Sequence, residues 1–256
     1  MSTYPGFIFL LFFLIVSTSL SFGQSDENIR VWLDEAETYF LNTEEEKSLD
    51  TYLKVLDTDP ENHEALWNAA IMYTRIGFRS GDKSKQEEYF NKALDLADKA
   101  IELYPDKGHS HYARAVALGR MTKLMGNRDR ARTAHKMQES IEKAIELIPD
   151  EALVWHIYGV WHSEVANVSR VERFAARVIS GGVPRGSNEK AEEYILKAIE
   201  LDPHHVLSRV DLAKHYQQTG QKEKARKTFK EVTEMKPLTK DDPGLIEKAK
   251  AMLDGL

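Results

Sequence analysis

Five times along the chain the same short phrase runs into a proline. It reads YLKVLDTDP at 52–60, ADKAIELYP at 97–105, IEKAIELIP at 141–149, ILKAIELDP at 195–203 and FKEVTEMKP at 229–237. In each copy small or apolar residues recur three or four apart, the spacing that lines one face of an α-helix. The proline then stops that helix, because it lacks the N–H needed to continue and disfavours helix in the residue before it. A chain that repeats one helix ending five times is built from repeated helical units, and any fold for it has to stack them.

The intervals between these prolines are 45, 44, 54 and 34 residues. The last is the tetratricopeptide period, and its unit carries the matching pattern: Leu212, Ala213, Tyr216, Gly220, Ala225, Phe229 and Pro237. Small residues there let two helices approach, and aromatic residues fill the space between neighbouring pairs. Trp32, Ala36, Tyr39 and Tyr52 fall on the same template before Pro60. Leu66, Ala69, Ala70, Tyr73 and Gly77 fall on it after Pro60, and Trp155, Tyr158 and Gly159 after Pro149. The longer middle periods call for extra turns of helix around 78–89 and on both sides of Met125-Gly126-Asn127. In the fourth unit VSRVERFAARVIS (168–180) reads as an additional short helix, followed by a Gly/Pro loop at 181–187 that cannot stay helical. The expectation is an all-α chain: a right-handed α-solenoid of about five helix pairs with an extended fourth unit. A C-terminal helix within Asp241–Leu256 would cap the open end of the stack.

The first 25 residues stand apart, with no charged side chain and a wholly apolar run from Phe7 to Val16. Ser21 and Gly23 place small residues at −3 and −1 to a cut before Gln24, the form of a secretory signal peptide. The segment before the run lacks Lys and Arg, which is a departure from that form. An uncleaved anchor is the alternative, although Phe7 to Phe22 is only sixteen residues against about 20 for a bilayer span. The division is therefore 1–23 as an address (signal peptide or anchor) and 24–256 as the helical domain. Localisation follows from it: periplasmic or secreted after cleavage near Gly23, or membrane-anchored if the segment stays.

Charge is distributed unevenly. From Gln24 to Glu64 thirteen acids face three bases, a net −10 in a chain of net −6, so the remainder carries +4. Much of that excess lies between Arg114 and Lys136, where Arg128, Arg130 and Arg132 make either a solvated helix surface or a docking surface for an acidic partner. The overall acidity argues against general nucleic-acid binding, which needs a sustained basic face. The absence of cysteine excludes disulfides, thiolate metal sites and a cysteine nucleophile.

The run from about Ala115 to Leu256 also resembles the regulator of microtubule dynamics family of tetratricopeptide-like proteins. The segments that carry the likeness are SIEKAIELIPDEALVWHIYGVWHSEVANVS (140–169), the insertion RVERFAARV (170–178) with its Gly/Pro loop, and RVDLAKHYQQTGQKEKARKTFKEV (209–232). What the resemblance implies is association with microtubules and spindles, with some members held at organelle membranes by an N-terminal segment, and no catalytic residue. A cleavable export signal would carry over the fold and leave the microtubule role behind.

No phosphate-binding glycine loop, nucleophile elbow or H-E-x-x-H motif occurs. The histidine pairs His109/His111, His204/His205 and His156/His162 are spaced onto different helix faces, which reads as surface or interface histidines rather than a zinc site. The function expected is therefore a non-catalytic interaction scaffold, without metal or cofactor, whose partner is a protein or peptide. Membrane contact is expected only if the N-terminus is retained. Trp67, His109, Tyr112, His156, Lys214 and Gln217 occupy template positions that face the groove, and they are the candidates for peptide contact. Trp155 is expected to serve packing instead.

Overall fold

A computed structural model describes residues 26–180 and 182–256, without the side chains of Asn127, Arg128, Ile179 and Ser180. The apolar address at 1–23 lies outside the described residues. What is described is helical: α1 (26–41) and α2 (Glu45–Thr58), α3 (His63–Arg79) and α4 (Lys83–Leu103), α5 (Gly108–Met121) and α6 (Asn127–Leu147). They are followed by α7 (Ala152–Ala166), α8 (Arg170–Ser180), α9 (Asn188–Leu201), α10 (Val206–Gln218), α11 (Lys222–Thr233) and α12 (Asp242–Asp254). No strand occurs among the described residues.

The ends of these helices follow from local chemistry. Asn62 opens α3 by accepting from the Ala65 N–H at 3.1 Å, and Ser187 opens α9 by accepting from Lys190 N–H at 3.2 Å. Asp59, Tyr104, Ile148 and Asp202 form the last hydrogen bonds of α2, α4, α6 and α9, and in each case the next residue is proline or leads directly to it. The turn that follows is stapled by a side chain six residues beyond the proline. His111 meets the Pro105 carbonyl at 2.8 Å, Trp155 Nε1 donates to the Pro149 carbonyl at 2.7 Å, and Arg209 does the same to Pro203.

α3 packs on α4, α5 on α6, α7 on α9 and α10 on α11 as antiparallel hairpins. Ala69, Ala93, Ala97, Ala113, Ala144 and Ala225 are fully buried, so backbones approach closely where the small residues lie. At Gly159 a Cβ would stand 2.5 Å from Ile195 Cγ1 and 2.9 Å from the Ile195 nitrogen, so no larger residue fits between α7 and α9. Gly220 takes φ +78°, the left-handed turn that joins α10 to α11. Tyrosines tie one hairpin to the next, Tyr158 donating to Glu142 at 2.7 Å and Tyr216 to Glu192 at 2.9 Å.

α8 is the additional helix of the fourth unit and packs against α6, outside the main stack. α12 packs against α10 and α11, the capping position expected from the sequence.

Candidate functional site

α3, α5, α7, α10 and α12 pack in succession and form the inner row of the array. The chain curls tightly enough that its last turns return to its first. Lys240, in the segment leading to α12, meets Glu46 at 2.9 Å, and Asp241 meets Arg79 at 3.2 Å. Arg75 and Arg79, one turn apart on α3, both also bond the carboxylate of Glu45, with Arg75 Nε to Glu45 Oε1 at 2.7 Å. Glu45 is only 1% exposed, so its charge is held wholly by these two guanidinium groups. Asp241 completes the cluster from the other end of the chain, 3.5 Å from Arg75 Nη2.

Further along the row, Asp211 on α10 accepts from Lys214 at 3.0 Å and pairs with His156 Nε2 on α7 at 3.1 Å. Burial alone would raise the Asp211 carboxyl, but the bonds from His156 and Lys214 outweigh it and hold the group below its usual range. His205 packs edge-on against His156, ring centres 5.3 Å apart. Burial and the neighbouring His156 lower its pKa to about 4, so it stays neutral near pH 7.

Arg120, on α5, is the exception in this row. Its guanidinium lies 3.9 Å from the centre of the Phe78 ring, a cation–π contact, and no carboxylate among the described residues bonds it. Burial, and then the charge of Arg75, lower its pKa below the ordinary guanidinium value. It is a largely buried cation that bonds neither Asp211 nor Asp241, although their charges reach it and partly offset that lowering.

The six groove candidates separate into two groups. Tyr112 and His156 are buried at 8% and 6% exposure, the first with its phenol pushed up by burial, the second engaged with Asp211. Trp67 and His109 are half-buried and stacked, ring centres 4.7 Å apart, while Lys214 and Gln217 are exposed. The candidates that a partner can touch are thus an aromatic step on α3 and α5 and a polar step on α10. Trp155 packs on Tyr194, centres 5.3 Å apart, and its indole N–H is used by the Pro149 staple.

The basic stretch is not uniform either. Arg130 donates to the carbonyls of Thr122 and Met125, both at 3.2 Å, and so closes the α5–α6 turn. Arg132 is exposed, with Asp129 3.8 Å away. The Arg128 side chain lies outside the described residues. Among the described residues no group of three or more His, Asp or Glu is arranged to hold a metal.

Arg75 and Arg79 did not emerge from sequence reasoning. Their helical spacing on α3 is legible, but the acids that answer them lie 30 to 166 residues away, on parts of the chain that only the curl brings near. Arg120 falls within the basic stretch from Arg114 to Lys136, but its place on the inner row was not foreseen.

Comparison with known proteins places the chain. The family model for regulator of microtubule dynamics protein 1-3 matches residues 32–256. Regulator of microtubule dynamics protein 2 of Mus musculus is 27% identical over 197 residues, 77% of this chain and 48% of the relative. Protein 3 of Xenopus laevis is 26% identical, over 71% of this chain and 40% of its own length. The chain therefore spans less than half the length of these curated relatives. Among solved structures, a thermophilic tetratricopeptide-repeat protein of Thermus thermophilus superposes with TM-score 0.64 at 16% identity, covering 87% of this chain and 99% of that one. PilF of Pseudomonas aeruginosa does so with TM-score 0.55 at 12% identity, over 91% and 93%. These likenesses show the tetratricopeptide-like fold.

Proposed function

Since this chain belongs to the regulator of microtubule dynamics family, we propose that it acts as a non-catalytic scaffold whose inner face holds an acidic segment of a protein or peptide partner. The observation that supports the reading is Arg120, a cation on the inner row with a ring beneath it and no carboxylate bonded to it directly, only the longer-range charges of Asp211 and Asp241. A partner carboxylate at this point would gain a charge-assisted hydrogen bond and relieve the repulsion from Arg75. The half-buried Trp67–His109 step offers an apolar anchor nearby in the array, and Lys214 and Gln217 offer polar contacts. Arg132 on α6 extends the basic surface outward. The scaffold uses no metal, cofactor or nucleic acid in this reading.

For the full chain we propose export, with cleavage near Gly23, and a partner in the cell envelope or outside it. The second reading is a membrane-tethered adaptor of the kind the family name suggests, with the N-terminal apolar segment retained. The mass of the mature chain in its host separates them: a start at Gln24 supports export, and an intact N-terminus in the membrane fraction supports the tether.

The scaffold itself is tested with a photo-crosslinking residue at Trp67 or Lys214, and at the outward Lys227 as a control. A partner captured from the first two positions and not from the third is the expected result. Arg120→Gln should then weaken that partner by about 1.5–3 kcal/mol while leaving the melting temperature in place. Equal capture at all three positions, or unchanged affinity in Arg120→Gln, would remove the inner face from the function.

A further inference from the structure

We propose that α8 is a docking helix for an anionic phospholipid surface. An amphipathic helix in a folded domain ordinarily turns its apolar face inward. α8 does the reverse. Val171, Phe174 and Val178 are 79%, 70% and 71% exposed, three of the eight large hydrophobic residues that stand exposed among the described ones. At about 100° per residue they share one stripe of the helix, and the buried Ala176 lies on the opposite side, against the body.

The flanks of the stripe carry the charge. Residues 170–185 contain Arg170, Arg173, Arg177 and Arg185 against the single acid Glu172, a net +3 in a chain of net −6. Glu172 is committed locally, accepting from the Ser169 N–H at 3.2 Å and its hydroxyl at 2.7 Å to close the start of the helix. Arg173 points back, bonding the Val165 carbonyl at 2.7 Å. Arg170 and Arg177 lie exposed beside the stripe, where long side chains reach headgroups while the apolar residues enter the acyl boundary.

Between α8 and α6 and α7 lies a cavity of about 400 Å³ whose lining mixes Ala134, Trp161 and Val165 with Lys123, Arg130 and Glu164. The helix is held by the Ser169–Glu172 box, by Arg173 and by the Gly182 N–H on the Ala176 carbonyl at 3.1 Å. Its outer face is an exposed stripe of one Phe and two Val with cations beside it. That is the composition of an interfacial helix, in which apolar insertion and attraction to anionic lipid act together. A bilayer surface carrying phosphatidylglycerol or another anionic headgroup supplies both. The inference is independent of the inner-face reading, because it uses none of the same residues.

The chain contains no cysteine, so a single one reports on a single place. Full-length protein carrying Val178→Cys labelled with an environment-sensitive fluorophore is titrated with phosphatidylcholine vesicles, with and without phosphatidylglycerol. Lys227→Cys, on exposed α11, is the control for simple tethering through the N-terminus. The expected result is a blue shift at 178, with quenching by a lipid-borne quencher, on anionic vesicles only. Position 227 should stay unchanged. In the labelled background Phe174→Glu should weaken the response by more than about tenfold, and Arg177→Gln by about fivefold. Far-ultraviolet circular dichroism of both variants checks that the fold is intact. No shift at 178, equal shifts at 178 and 227, or a shift without vesicles that grows with protein concentration would each overturn the proposal. The last would assign the stripe to a second copy of the chain.

Discussion

The inner row and α8 treat side chains in opposite ways. Along the inner row Arg75 and Arg79 are answered by Glu45 from α2 and by Asp241 from the far end of the described chain, and Asp211 is shared by His156 and Lys214. On α8 Glu172 and Arg173 fasten the helix, while Val171, Phe174 and Val178 are left in water beside the exposed Arg170 and Arg177. One region is closed by charge, the other left open by hydrophobicity. A region whose groups are already paired contributes to shape, and a region whose groups are unpaired is available for recognition. By that measure Arg120 and α8 are two places among the described residues that are open to recognition.

The comparison breaks most visibly at Glu45. Glu45→Ala leaves two partly buried guanidinium groups with only Asp241 between them, and removing one side of a buried pair costs about 3 kcal/mol or more. Urea unfolding checks this, and Asp241→Ala in a double-mutant cycle should show coupling, since both acids share Arg75 and Arg79. A loss below about 1 kcal/mol would mean that packing, not charge, closes the curl.

Acid is the next largest lever, and it acts on the stack but not on α8, which contains no histidine. His205 and His162 both fall to about 4, in each case chiefly through burial. Unfolded, each returns to about 6.5. Between those values the unfolded chain takes up protons that the folded chain refuses, so stability rises with pH through this window. It is complete above about pH 6.5 and drains as pH falls toward 4, by something on the order of 2 kcal/mol for each group. Melting temperatures measured from pH 7 to pH 4 check the slope, and His205→Asn should flatten part of it.

The proline-terminated phrases, the small residues at Ala93, Ala97, Ala100 and Ala225, and the extra helix at 168–180 made the fold legible in the sequence, because each is a local pattern with a fixed spacing. What stayed hidden has a common cause. The pairing of Lys240 with Glu46 spans 194 residues, and the meeting of His156 with Asp211 spans 55. Neither is encoded by any periodicity, and both depend on how tightly successive hairpins curl. The reading of His156 and Tyr112 as groove residues did not foresee how much of them the curl buries. The proline staple was hidden for a different reason: His111, Trp155 and Arg209 share a position and a hydrogen bond but no residue type.

That staple gives a smaller test. Trp155→Phe keeps an aromatic ring against Tyr194 but deletes the donor to Pro149 and part of the ring area of this half-buried residue, so the expected cost is about 1–2 kcal/mol. A loss several times larger would show that the indole is wedged by packing.

The smallest expected effect is the most informative for α8. Phe174→Ser removes an aromatic ring, a change that in the core of this molecule, at Phe229 for example, would cost about 3–5 kcal/mol. Phe229 is 0% exposed and Phe174 is 70% exposed, so the ring of Phe174 gains almost nothing from the fold. Its replacement should move stability by no more than about 0.5 kcal/mol, with a slight gain as the outcome if the stripe promotes association. If instead Phe174→Ser proves as costly as a core substitution, the ring is covered by the rest of the chain in solution. If stability holds while anionic vesicles no longer shift the probe at 178, the fold has kept a hydrophobic residue that it does not need for itself. The contrast between the closed inner row and the open helix would then mark a division between shape and contact.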